Sequence, residues 1–501
     1  MKQLVTLVFW FALLGISCGQ NRFDNSWVIN FKNIGGQVIS FHSDTLSIEE
    51  IMAPNVNTYE ALACMSDFQG NLLFYTNNCT VFDKNHQIMT GGEGMNPGQI
   101  QTYWCTVNPF ANPNDNSVLI LPQPGSSTVY QIFHWDYEAF NIGQPGGSQF
   151  GPLHLYHTIV DMSKNNGLGE VLSMNNLILE DTFSSCALQA VRHANGRDWW
   201  VLAPEFNGNC YYNILLGPGG VSIQGKQCIG SYWGKYGSGS ALFSNDGTKY
   251  VRSSIEYGLN VFDFDRCSGQ LSNPRHVPIG PQGSFLLNCM TLSPSGRFAY
   301  YHTLKEIYQY DLESPEISES KTLVATYDGF VSINQTDFYK SQLAPDGKIY
   351  INSFGPVYYM HVIEHPDSQG VACLVRQHAI ELPNYHFAAM PNYPNYRLGV
   401  AAGVCDTIIL SNILEPVSKN SVKISPNPFN TELTVQLPAL VGTSPEFVLY
   451  DLYGRVVKTA RLTDFDNQIP VQDLPSGLYV WQLRWNGEVT QVGKVVKNDG
   501  R

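Results

Sequence analysis

The chain has 501 residues, of which only 14% are charged, and it carries 44 glycines, 28 prolines and 12% aromatics. That mixture argues against a helical bundle and for many short strands joined by tight turns. A formal net charge of −13 with no basic run argues against a nucleic-acid partner, because phosphate binding needs clustered Lys and Arg.

The first residues read as an export signal. A cation in MKQ precedes the short apolar run LVTLVFWFALLGI, and SCGQ supplies small residues. The run is too short to span a bilayer as a mature helix. Ser17 and Gly19 suit the −3 and −1 positions of a signal-peptidase site, so residues 1–19 are the expected signal and Gln20 the new N-terminus. Acylation at Cys18 is the alternative, although Gly15 stands where a lipobox normally carries leucine. No later stretch is apolar enough to cross a membrane, so the mature chain is expected to lack a transmembrane segment.

From residue 23 onward one turn keeps returning. FSNDGTKYV, LSPSGRFAYY and LAPDGKIYI turn at Gly247, Gly296 and Gly347, and looser copies turn at Gly70, Gly125 and Gly196. Successive glycines are 55, 71, 51, 49 and 51 residues apart, and the long interval holds an extra loop at roughly 137–152 rich in Gly, Pro and Gln. Each unit enters the turn on a short apolar strand and leaves it on a β-branched or aromatic one. A third strand follows, as in LNVFDFD or IYQYDLE, and then a weaker fourth. One such sheet cannot bury both faces alone; stacking copies around an axis hides each face and leaves no long edge. The spacing therefore predicts a β-propeller over residues 23–411. Six units are explicit. A seventh can be assembled from SWVINFKNIGGQVISF near the N-terminus and ACLVRQHAIELP near residue 380. Seven blades is the expected number, with six and decorated ends as the alternative.

Without Cys18 an even number of cysteines remains, which in an exported chain favours disulfides over metal or thiol chemistry. None forms a CxxC pair. Neighbouring positions in the repeat suggest Cys64–Cys79, Cys210–Cys228, Cys267–Cys289 and Cys373–Cys405, leaving Cys105–Cys186; the connectivity itself stays open.

In a propeller, the loops entering the inner strand and those joining the second strand to the third gather on one face around the channel. That geometry nominates Asn77, Asn78, His134, Trp135, Glu205, Asn207, Glu256, Tyr257, His302, Lys305, Asn352 and Phe354. The set is polar with aromatics and suits a sugar or a peptide. Catalytic signatures are absent after the expected signal, whose GISCG is the one GxSxG string: there is no GxSxG elbow, HExxH helix or Walker loop. His193 sits in RHANGRDWW, which reads as a hairpin with an Asn-Gly turn. Glu205 and Glu256 are a testable carboxylate pair for a glycosidase. No metal or other cofactor is assigned.

After the expected linker 412–420 the texture changes. VKISPNPFNTELTVQLP, EFVLYDLYGRVVKTARL, QIPVQDLPSGLYVWQLRWNGE and VTQVGKVVKND alternate apolar residues between glycine turns, as a small Ig-like β-sandwich would over 421–501. The landmarks SPNPF, LYDLYGR, LPSGLY and GKVVK closely resemble the C-terminal sorting domain of the type IX secretion system. The resemblance implies Sec export, passage through the outer membrane, recognition by the type IX machinery, and release or attachment at the cell surface. On it, Pro426, Pro428, Gly454 and Gly477 shape turns, and Lys494 and Lys497 lie in the terminal strand that the machinery would meet. The propeller phrases GNLLFYTNNCTVFDKNHQIM, VDMSKNNGLGEV, FDFDRCSGQLSNP and MPNYPNYRLG resemble the secreted WD-repeat-like propellers of Bacteroidetes, a resemblance that implies a fold and a location. DTL at Asp44 and DTI at Asp406 resemble the Bacteroidetes O-glycosylation sequon, with Thr45 and Thr407 as acceptors. The expectation is an exported, non-enzymatic propeller that binds a glycan or a protein. The alternatives are a surface hydrolase or lyase acting at the channel mouth and a structural envelope component.

Overall fold

The structure, a computed structural model, describes residues 22–31, 34–41, 46–53, 56–98, 102–107, 111–141, 148–232, 239–254, 257–279, 289–401, 405, 422–437, 445–451, 455–485 and 488–498. The expected signal, Cys18, Thr45, Glu256, Thr407, the expected linker and Gly454 lie outside the described residues. The chain divides into two compact units, one ending at Ile408 and one beginning at Ile409.

Seven antiparallel sheets follow one another in the first unit, which is a β-propeller. Blade 1 (residues 26–51) has three strands. Blades 2 (63–93), 3 (118–180), 4 (189–228), 5 (241–277), 6 (289–326) and 7 (341–386) have four each, and a single parallel pair, Thr90 with Glu170, joins the outer edges of blades 2 and 3. The long interval in the repeat holds an added hairpin, Glu138–Asn141 paired with Ser148–Gly151. Blade 4 shows why the strands differ in texture. Its second strand, Trp199–Pro204, is buried along its whole length, whereas its outer strand, Gly220–Cys228, is largely exposed. Neighbouring blades cover both faces near the axis, so alternation disappears there and returns at the rim.

All six turn glycines fall between the first and second strands of blades 2–7, at positive φ. Gly247 shows the need most directly. Its φ is +71°, and a Cβ there would stand 2.8 Å from side-chain atoms of Arg266, Leu398 and Val191.

The ring does not close as expected. ACLVRQHAIELP runs into Val375–His386, which is the outer strand of blade 7, paired with Val357–Ile363. Ser26–Phe31, Gly35–Phe41 and Leu46–Ile51 make blade 1 by themselves. The Ser26 amide donates to Ser66 Oγ at 3.2 Å, so blade 1 begins level with the end of blade 2's inner strand, Ala63–Ser66. Blade 1 thus starts at the second-strand position and has no inner strand of its own among the described residues. What occupies that place is the chain after blade 7. Residues 387–401 enter at the face of the second-to-third loops (the upper face), where Asn352 Nδ2 donates to the Ala389 carbonyl at 3.0 Å. They leave at the face of the glycine hairpins (the lower face), where the Ala401 amide donates to the Ala194 carbonyl at 2.9 Å.

The disulfides also differ from the expected set. Cys210–Cys228 forms within blade 4, but the others are Cys79–Cys105 and Cys267–Cys405, and Cys64, Cys186, Cys289 and Cys373 are free thiols. The reason is which face each cysteine occupies. Cys267 lies in the turn between the third and fourth strands of blade 5, on the lower face, where the axial segment emerges toward Cys405. Cys289 opens the inner strand of blade 6 on the upper face. Cys64 is buried on the inner strand of blade 2 and accepts the Val28 amide at 3.5 Å, so it faces blade 1 rather than Cys79.

The second unit has a three-stranded sheet (Lys423–Ser425, Glu432–Gln436, Asp466–Pro470) and a four-stranded one (Val456–Arg461, Glu446–Tyr450, Gly477–Trp485, Glu488–Lys497). Leu433, Val435, Phe447, Leu449, Leu483 and Val495 fill the core between them as in a β-sandwich.

Candidate functional site

The nominated channel residues divide into two groups. One group bonds blade to blade. Asn77 Oδ1 accepts the amides of Cys79 and Thr80 at 3.1 and 3.0 Å, shaping its own turn. Asn78 Nδ2 reaches across to Ser117 Oγ at 2.9 Å and the Trp135 carbonyl at 3.0 Å. His134 is fully buried between Asn96 Oδ1 (2.7 Å) and Thr158 Oγ1 (2.9 Å), and burial pushes its pKa down to about 3. Trp135 stacks on Phe183 with centroids 5.8 Å apart. His302, likewise buried and pushed down to about 3, bonds Ser341 Oγ at 3.1 Å. Asn352 ties the start of blade 7 to the axial segment. These are neutral, buried groups that hold the ring together, although Trp135 Nε1 and His302 Nδ1 have no hydrogen-bond partner among the described residues.

The second group is more open and is spread over separate blades. Glu205 pairs with Lys226 at 3.2 Å beside the exposed Asn207. Lys305 lies 3.8 Å over the Tyr327 ring and bonds Gln335 Oε1 at 2.6 Å. Tyr257 offers its carbonyl to His276. Phe354 packs edge-on against Tyr339 at 5.2 Å, which brings it to the axis. His193 is a hairpin residue, as its sequence suggested: its Nδ1 accepts the Asn195 amide at 3.0 Å and its ring lies against Trp200.

The axis itself is filled by NYPNYR. Asn392 donates from its backbone to Leu62 and from its side chain to Val118 and Leu188, and it accepts from Gln189 at 2.7 Å, touching blades 2, 3 and 4 at once. Tyr393 OH donates to the Ser26 carbonyl at 2.9 Å and Tyr396 OH to the Ile120 carbonyl at 2.6 Å. Asn395 reaches the Asn245 carbonyl at 2.6 Å, and Arg397 clamps Asp24 through both terminal nitrogens, at 2.5 and 2.7 Å. On the lower face a cavity of about 210 Å³ remains between this segment and the inner strands of blades 4–7.

On the upper face two features adjoin. At the centre Lys340 pairs with Asp115, and the Glu60 carboxyl stands beside them. Burial, then Asp115, pushes the Glu60 carboxyl well above its usual range. Burial works against the Lys340 ammonium, but Asp115 and Glu60 outweigh it and hold its pKa above the usual value. Cys186 and Cys289 line a gap of about 30 Å³ beside Lys340; burial pushes Cys289 up to about 12 and Cys186 well above its usual value, so both are protonated, poor nucleophiles. Outward from Glu60 runs a stripe of half-buried aromatics between blades 7 and 1. Tyr59 lies 5.6 Å from Phe387, which stacks on Phe31 at 4.6 Å; Tyr385 adjoins both, and Tyr358 follows at 6.0 Å. Tyr358 borders an open groove of about 480 Å³ with Glu381, Leu382 and Pro383.

Sequence reasoning missed Glu60, Asp115 and Lys340. Their signal was position: each lies within three residues before an inner strand, in the loops that share this face with the nominated ones. Among the described residues no group of His, Cys, Asp and Glu could hold a metal ion, and no helix is long and apolar enough to cross a membrane.

Residues 423–498 match the family model of the secretion system C-terminal sorting domain. The chain ends in a type IX sorting domain. It sends the propeller to the cell surface or the medium and meets the type IX machinery in doing so. Within the sorting domain Pro426 and Pro428 both follow cis peptide bonds, and Gly477 opens a strand of the larger sheet. Lys494 is exposed, while Lys497 is buried, its ammonium donating to the carbonyls of Gln472 and Leu474. No curated protein matches the chain in sequence. Among solved structures, a protein from Lactobacillus plantarum is 11% identical, with 72% of this chain and 97% of that one covered and a TM-score of 0.41. PorZ, a surface component of the type IX secretion system of Porphyromonas gingivalis, is 10% identical, with coverage of 95% and 69% and a TM-score of 0.30. The periplasmic gluconolactonase of Pseudomonas aeruginosa is 12% identical, with coverage of 94% and 98% and a TM-score of 0.35.

Proposed function

We propose that the propeller is a non-enzymatic glycan-binding module displayed outside the cell, holding sugar rings along the aromatic stripe of its upper face. The observation that carries this reading is the run Tyr59, Phe387, Phe31, Tyr385 and Tyr358, half-buried and continuous from the polar axis to the open groove. Aromatic faces present broad apolar contact to the C–H side of a sugar, and tyrosine hydroxyls add hydrogen bonds at the edge. Beyond Tyr358 the surface opens into a shallow groove bordered by Glu381, Leu382 and Pro383, which gives a chain of sugar rings room to extend.

The hydrolytic alternative finds little support at the axis. A retaining glycosidase needs its two carboxyl groups about 5 Å apart and an inverting one needs them farther. Glu60 and Asp115 instead stand side by side, and Asp115 is committed to Lys340. The test is a glycan array followed by calorimetry on the protein. Saturable binding should weaken by about 0.5–1.5 kcal/mol, up to roughly tenfold, in Tyr385→Ala. Phe330→Ala, in a separate exposed cluster against His378, should leave it unchanged. Binding that ignores Tyr385, or no glycan binding at all, overturns the proposal.

A further inference from the structure

Three side chains that the glycan reading does not use stand together where the axis meets the upper face. Lys340 and Asp115 are each only 8% exposed and form an ion pair. Glu60 adjoins the pair, with Lys340 Nζ donating to the Glu60 carbonyl at 3.4 Å. The surroundings are aromatic. The fully buried Tyr339 directs its hydroxyl to Asp115 Oδ2 at 3.4 Å, Phe354 packs on Tyr339, and Lys340 Nζ lies 5.2 Å from the Tyr339 ring centre. A buried lysine and a buried aspartate held in contact, with a second acid half-buried beside them, have a chemistry beyond pairing.

We propose that Lys340 and Asp115 are joined by an intramolecular amide bond, formed without any added reagent, with Glu60 as the proton carrier. Two buried charges are costly to keep. Asp115 and Glu60 favour the Lys340 ammonium, so the ion pair is the resting form; transfer of one proton from the ammonium to the Asp115 carboxylate gives the reactive form, a neutral amine beside a carboxylic acid. The amine lone pair attacks Asp115 Cγ and a C–N bond forms. Glu60, beside that carboxyl, passes the surplus nitrogen proton to the departing hydroxyl; the C–O bond breaks and one water leaves. The balance is an ammonium and a carboxylate converted to an amide and water, with nothing oxidised or reduced and Glu60 returned to its starting state. The upward push on the Glu60 carboxyl is consistent with this part, because it keeps a proton on that group near neutrality.

The position gives the bond a purpose. Asp115 precedes the inner strand of blade 3 and Lys340 that of blade 7, so the amide is a strut across the wheel on its upper face. Cys267–Cys405 fastens the axial segment on the lower face. Unlike the disulfide, the amide survives reductants.

The experiment is intact mass spectrometry of the full exported protein after reduction, referred to the termini found in the same sample, with a proteolytic digest alongside. The expected result is a mass one water below the sum of the residues and a branched peptide joining Lys340 to Asp115. Glu60→Gln and Lys340→Arg should each restore the missing water. Asp115→Asn should release ammonia instead and end at the wild-type mass. Wild-type protein at its full residue mass, with Lys340 open to an amine reagent after denaturation, overturns the proposal whether or not any variant folds. Neither outcome bears on the aromatic stripe, which contains none of the three residues.

Discussion

Arg397 carries more than a surface arginine would. Its guanidinium grips Asp24 with both nitrogens, and the Asp24 side chain is 10% exposed, so removing the cation strands a buried carboxylate. Arg397→Ala should cost about 3 kcal/mol in denaturant unfolding, the low end for breaking a buried pair. A loss below about 1 kcal/mol would mean the clamp is no stronger than a surface pair. His134 and His302 set a pH dependence by the same logic of burial. Both stay neutral in the folded chain, with pKa values pushed down to about 3, whereas unfolded histidine titrates near 6.5. Between those values the unfolded state binds more protons, so the stability they contribute is full above about pH 6.5 and is lost as pH falls toward 3. The melting temperature should therefore drop from pH 7 to pH 4, and less steeply in His302→Gln; parallel profiles for the two proteins would contradict this assignment.

At the scale of elements, the axial segment replaces what many closed rings obtain from a shared sheet. Among the described residues blade 1 has no inner strand, and residues 387–401 supply side-chain and backbone bonds to blades 1–5 and 7 without forming a ladder. Tyrosine and asparagine suit this role because each reaches a backbone carbonyl at a distance, and Pro391 and Pro394 need no amide partner. The segment also decides where a ligand can go. A propeller with an open channel can bind on its axis; this one has the axis filled by its own chain, which moves the candidate surface outward to the stripe between blades 7 and 1. The sorting domain is a separable element by the same account, with its own core and its own two sheets. Deletion of residues 418–501 should leave the propeller inside the envelope, read by fractionation and surface proteolysis. Arrival of the truncated chain at the surface would show that export needs something other than this domain.

For the whole molecule, periodic turns and long-range closure are different kinds of information. The hairpins of blades 2–7 and the sandwich of the sorting domain were legible because each depends on local chemistry: a glycine at positive φ between apolar strands, repeated at near-even intervals, and landmark turns in the tail. The same turn grammar located the nominated loops, yet Asn78, His134 and His302 proved to be joints between blades, because a polar residue in a loop does not reveal whether its partner is solvent or the next sheet. What only the tertiary structure decided was everything that crosses the axis. NYPNYR reads as a loop until seven blades surround it. Cys267 meets Cys405 rather than Cys289 because those two share a face of the wheel, and Lys340 meets Asp115 because each opens an inner strand. Such contacts join residues far apart in the chain, and their distance is set by how many blades close the ring, which no local pattern records.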